Sequence, residues 1–192
     1  MNLKKLLLPA FILVAFVQLS VPVKMIWDRE DVLATGTTYK FETAPIDPND
    51  PFRGKYIHLR FKEDIIAVPN AKDWEMGETI YVRLTKDQNG FAKIKSVSKS
   101  KPSSEQDFVK AKVRFITGNA SDKLAIDYPF DRFYMEESKA QHAEQTYRYS
   151  QQDSTKTTYA VVSIKKGDAV LKDVLIDGIS IKKIVESDQK RE

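Results

Sequence analysis

The sequence predicts a mainly β chain: a β-rich α+β exported domain, built from two related β units, on one N-terminal transmembrane helix. Three observations predict it. Leu6 to Val23 is an 18-residue run without a charge. Two-residue alternation of apolar and polar side chains dominates from Thr37 onward. One stretch alone, Tyr134 to Tyr147, has the Glu, Lys, Gln and Ala content of a helix with neither Gly nor Pro.

The apolar run comes first. At about 1.5 Å per residue it spans roughly 27 Å, enough for a hydrocarbon core. Lys4 and Lys5 precede it, and Lys24, Asp28, Arg29, Glu30 and Asp31 follow. The positive-inside rule places the N-terminus in the cytoplasm and the rest outside. Pro9 falls in the first turns, and Pro22 is read as the exit. A cleaved signal peptide is the rival reading. Its apolar core is about 7–15 residues and ends in a small-x-small site. This run is longer, and Val17-Gln18-Leu19-Ser20-Val21-Pro22 offers no Ala-x-Ala, so a retained anchor is preferred.

Strands follow. Thr37, Tyr39 and Phe41 share one face of the first, and Thr79 to Leu84 is β-branched and aromatic. Asn89-Gly90 then signals a type I′ hairpin into Phe91 to Val97. Ser98 to Asp107 reads as a linker. Beyond it, Val109 to Thr117, Thr158 to Lys165 and Ala169 to Ile176 read as strands. Gly118 to Ser121 and Lys166-Gly167-Asp168 read as turns, and Asp177-Gly178 begins a hairpin into Ile179-Ser180-Ile181. The expected organisation is residues 1–27 as tip and anchor, 28–185 as exported domain, and 186–192 as a charged tail.

A self-comparison suggests a duplication, with halves 36–97 and 108–185. Pro51-Phe52 matches Pro129-Phe130 at a spacing of 78, as do Tyr56 with Tyr134 and Tyr81 with Tyr159. The spacing then falls to 77 for Gly90 with Gly167, Ala92 with Ala169, Lys95 with Lys172 and Val97 with Val174. One loop residue fewer before the second turn accounts for the change.

Composition excludes several function classes. The chain has no Cys, so disulfides, thiolate metal sites and cysteine nucleophiles are out. Two histidines, His58 and His142, argue against a His-rich metal centre, and no cofactor is expected. The net charge of +4 falls to +2 without Lys4 and Lys5, too small to argue for nucleic acid. The seven glycines are scattered among turns and form no phosphate loop.

The most informative stretch is Asp47 to Phe61. Pro45, Pro48 and Pro51 impose an extended path with few backbone donors. Arg53-Gly54 permits a bend into a strand. In that strand Tyr56, His58 and Arg60 share one face, and Ile57, Leu59 and Phe61 share the other, the core face.

Gly54-Lys55-Tyr56-Ile57-His58-Leu59-Arg60-Phe61 resembles the motif of the GDYXXLXY family of small membrane-anchored bacterial proteins. Gly, Tyr and Leu match; Lys55 replaces Asp, and Phe61 replaces the last Tyr. Pro45-Ile46-Asp47-Pro48 resembles the family's lead-in, and Phe133 to Glu137 its second aromatic-Glu segment. The resemblance implies a single membrane helix and a β-rich exported region. It also implies a multi-pass membrane protein as partner, and it carries no biochemical activity.

Asp47, Pro48, Asp50, Arg53, Gly54, Tyr56, Leu59 and Phe61 are therefore read as motif residues with a structural or binding role. Asp residues among prolines hydrogen-bond local N–H groups, and Arg53 can pair with one. No catalytic or metal-binding residue is assigned. The expected function is a non-enzymatic binding or assembly module at the envelope. The alternative is an anchored hydrolase using Asp47, Asp50, Tyr56 and His58, which requires those groups to converge in a pocket.

Overall fold

The computed structural model describes residues 3–45, 56–102, 107–117 and 122–189. Helix α1 is Leu3–Thr35. The first half supplies β1 (Thr37–Ala44), β2 (Tyr56–His58), β3 (Arg60–Phe61), β4 (Ile65–Ala67), β5 (Thr79–Lys86) and β6 (Ala92–Ser98). The second supplies β7 (Phe108–Thr117), β8 (Lys123–Asp127), β9 (Arg132–Tyr134), α2 (Glu137–Gln152), β10 (Thr158–Lys165), β11 (Asp168–Ile176), β12 (Ile179–Ser180) and α3 (Ile181–Gln189).

The chain is β-rich, as the alternation predicts, and a long apolar helix precedes the β domain. That helix passes through Pro9 and Pro22 without ending. Its last two turns, from Asp28 to Thr35, continue the same helix. They dock on β10 and β11. Val32 is buried, Arg29 donates to the Ala169 carbonyl at 3.0 Å, and Lys165 Nζ reaches Asp31 at 2.6 Å and Thr35 at 2.7 Å. These tertiary contacts hold the helix beyond the proline that the sequence marks as its exit. At Gly36 the chain reverses so tightly that a Cβ would stand 2.5 Å from the Val32 carbonyl oxygen and 3.0 Å from that of Ile164.

Two five-stranded sheets have the orders β12-β11-β10-β1-β3 and β4-β8-β7-β5-β6; β2 and β9 form a separate two-stranded ribbon. The leading strand of each half pairs with the hairpin of the other: β1 with β10, and β7 with β5. Each hairpin carries a bulge at the matching place, with Lys95 the extra residue in β6 and Lys172 in β11. A parallel bridge joins Lys40 to Phe91, and another joins Val109 to Gly167. One core gathers inward side chains from both sheets, α2 and α3, including Phe41, Ile80, Val82, Val113, Ala143, Ile164 and Val185.

Several local expectations are corrected. Helix α2 begins after Tyr134, which is a strand residue paired with Tyr56, and continues to Gln152. Ala140, Ala143, Tyr147 and Ser150 are its buried stripe. Ile181 opens α3 in place of a strand, because Ile181, Ile184 and Val185 recur at helical spacing and pack on the core. The expected tail is helical to Gln189, with Lys139 at 3.1 Å from Glu186. The Asn89-Gly90 hairpin exists, but of the two only Gly90 has positive φ, so its turn is not type I′. The Asp87 carboxylate closes it by accepting the N–H groups of Asn89 and Phe91. Lys166-Gly167 and Asp177-Gly178 are the pairs with positive φ at both positions. The expected turn at residues 118–121 lies outside the described residues.

Candidate functional site

The motif strand forms one wall of a cleft. Alternation buries Ile57, Leu59 and Phe61 and leaves Tyr56, His58 and Arg60 on the accessible face. Beneath the strand, Phe41, Phe61, Tyr128 and Phe130 pack with ring centroids 5.0–5.9 Å apart. The Tyr128 hydroxyl donates to the Glu63 carbonyl at 2.9 Å. Burial, reinforced by the carboxylates of Glu63 and Asp64, drives that hydroxyl's pKa far upward.

Above this floor lies a cavity of about 210 Å³, with His58, Arg60, Asp64, Arg114, Asp127 and Asp131 among its walls. Asp64 is buried, and one of its oxygens takes Arg114 at 2.6 Å and Arg60 at 3.8 Å. His58 Nδ1 lies 3.6 Å from Asp131, whose carbonyl accepts the Leu59 N–H at 2.7 Å. The carboxylate is thus held by two guanidiniums from different elements, a lock between the motif strand and β7. Among the described residues no group of three His, Cys, Asp or Glu side chains could hold a metal ion.

Tyr56 points to the other end of the ribbon. Its ring centroid is 5.5 Å from that of Tyr134, and the Arg132 guanidinium lies 5.1 Å above it. His58 is directly opposite Arg132 in the ladder. Leu59 and Phe61 are core residues. Asp47, Pro48, Asp50, Arg53 and Gly54 lie outside the described residues, so their convergence with Tyr56 and His58 is not described.

A family model described as GDYXXLXY protein matches residues 18–174, from inside α1 to β11. The chain belongs to the GDYXXLXY family. No curated protein and no solved structure matches it.

In this GDYXXLXY protein, Asp64, Arg114 and Asp131 are the site residues that sequence reading missed. Asp64 and Arg114 carried no signal, because Asp64 sits in a short bend between β3 and β4, Arg114 sits in an ordinary strand context, and their partnership spans 50 residues. Asp131 did carry one. It follows Pro129-Phe130, the dipeptide that matches Pro51-Phe52 in the self-comparison.

Proposed function

We propose that this protein is a membrane-anchored binding or assembly module of the bacterial envelope. Its N-terminus is cytoplasmic, its domain is exported, and it works with a multi-pass membrane protein. The continuity of α1 carries this reading. One helix, long and apolar enough to cross a membrane, runs from the apolar stretch into the β domain without a flexible joint. Its last turns are clamped by Arg29, Asp31, Val32 and Thr35. From Lys24 to Thr35 such a helix rises about 18 Å. A catalytic domain that meets a diffusing substrate needs only a tether, whereas a rigid strut fixes height and orientation, which an assembly requires. The side chains of the apolar stretch, including Phe11, Phe16 and Leu19, are exposed and available to neighbouring helices.

The native chain lacks cysteine, so single cysteines at successive positions from Leu8 to Val23 give clean cross-linking sites. In membranes, adducts to one multi-pass protein should recur with a helical period on one face. Adducts to no multi-pass protein would refute the assembly reading. Protease added to intact spheroplasts should degrade the domain; survival until lysis would refute the orientation.

A further inference from the structure

The ribbon of β2 and β9 presents two faces. Ile57 and Phe133 enter the core, while Tyr56, His58, Arg132 and Tyr134 face outward. Tyr134 is 62% exposed, unusual for a large aromatic on a well-packed strand. It lines a cavity of about 310 Å³ shared with Met135, Glu136, Lys139, Lys182 and Glu186. Two residues earlier, Arg132 lines another of about 350 Å³ with Thr79, Lys110, Lys112, Asp127 and Asp131. The outward face of the ribbon therefore borders two hollows, one at Tyr134 and one at Arg132, each lined by donors and acceptors.

We propose that this ribbon binds a glycan chain, with a sugar ring stacked on Tyr134 and its neighbours hydrogen-bonded in the two hollows. The mixed signs of the lining carry the choice. A hydroxyl both donates and accepts, so a polyhydroxylated ligand uses lysine and arginine donors and carboxylate acceptors side by side. A polyanion would meet Asp127, Asp131, Glu136 and Glu186 along the same path. An acidic peptide or an anionic membrane surface is disfavoured for the same reason. The outward face is rigid before any ligand arrives. Tyr134 packs on Tyr56, Arg132 covers Tyr56 at 5.1 Å, and Lys182 lies 5.1 Å from the Phe133 ring beneath. Planar side chains held in place lose little entropy on binding.

The test uses the full chain in a detergent that contains no sugar. Calorimetry is run with neutral hexasaccharides of β-1,4-linked N-acetylglucosamine, glucose and mannose, and with poly-L-glutamate and phosphatidylglycerol vesicles for comparison. At least one hexasaccharide should bind. Tyr134→Ala should weaken it by about tenfold or more, while Tyr134→Phe keeps the ring and most of the affinity. Tyr149→Ala removes a comparably exposed aromatic from α2 and should change nothing. Thermal melts of all variants should coincide. The proposal fails if no hexasaccharide binds, or if Tyr134→Ala binds as well as Tyr149→Ala. It fails equally if polyglutamate or the vesicles bind and the hexasaccharides do not displace them.

Discussion

Tyr56 and Tyr134, 78 positions apart in sequence, are direct cross-strand partners in an antiparallel ribbon, with ring centroids 5.5 Å apart. Residues that match in a self-comparison can pair with each other in this way when an approximate two-fold axis passes between them. The pairings of the leading strands follow the same relation. Each leading strand pairs with the other half's hairpin, and the bulges fall at Lys95 and Lys172, a pair already matched at a spacing of 77. Neither half can therefore complete its sheet alone.

That exchange makes the β10–β11 turn a structural joint. Gly167 has φ +102, and a Cβ there would stand 2.7 Å from Cε2 of Phe108. The Gly167 carbonyl also accepts the Lys110 N–H at 2.9 Å, which ties the turn to β7. Gly167→Ala should cost more than the roughly 1–2 kcal/mol of a left-handed alanine, because Phe108 must move too. Gly178→Ala, with φ +84 and open space around it, should cost only the backbone part. Urea denaturation of the two variants compares them directly, and equal losses would mean that Phe108 yields freely.

The motif strand offers a second comparison. Leu59 is 2% exposed, so Leu59→Asp buries a carboxylate without a partner and should cost several kcal/mol or prevent folding. His58→Asp places its charge near Asp131 at a half-buried edge, where solvent screens the repulsion, and should cost about 1 kcal/mol or less. Thermal melts of the two variants should differ widely.

This strand also shows what the sequence made legible. Period-two alternation assigned the faces of Tyr56 to Phe61, because burial on one side of a sheet fixes which residues may be polar. The same logic located β5, β7, β10 and β11 to within a residue or two. It did not reveal β8 or β9, which are short; β8 has a charge at each end and β9 begins on Arg132. It misplaced the start of α2 because Tyr134-Met135-Glu136 has acceptable helix propensity, and only the pairing with Tyr56 holds Tyr134 extended. The Asp64–Arg114 contact was invisible for another reason: loop closure across 50 residues leaves no local pattern.

Alkaline pH should destabilise the domain. Burial, with the Asp107 carboxylate at 3.2 Å, pushes the Tyr39 hydroxyl up to about 12. Burial alone raises Tyr147 to about 12, and Tyr128 moves further in the same direction. These groups stay protonated in the folded chain while the unfolded chain loses its protons near 10. The unfolded state then binds fewer protons, so stability is intact below about pH 10 and falls as pH rises towards 12. Urea midpoints measured from pH 8 to 11.5 should decline above 10. Tyr39→Phe should flatten part of that decline, which separates tyrosine from the general loss of lysine charge.

The lock at Asp64 yields the last expectation. Arg114 comes from β7 and Arg60 from the motif strand, and both approach the same oxygen of a buried carboxylate. Asp64→Asn keeps the shape and an acceptor but removes the charge that holds both guanidiniums. Because Arg60 and Arg114 retain contact with solvent, the loss should be about 1–3 kcal/mol, below that of a fully buried pair. Arg114→Met removes the nearer partner while keeping an apolar stem over the sheet. If the two side chains act through each other, the double variant should lose less than the sum of the singles, with a coupling of about 0.5–3 kcal/mol. Strict additivity in the denaturation cycle would show that the 2.6 Å contact contributes nothing to the joint between β7 and the motif strand.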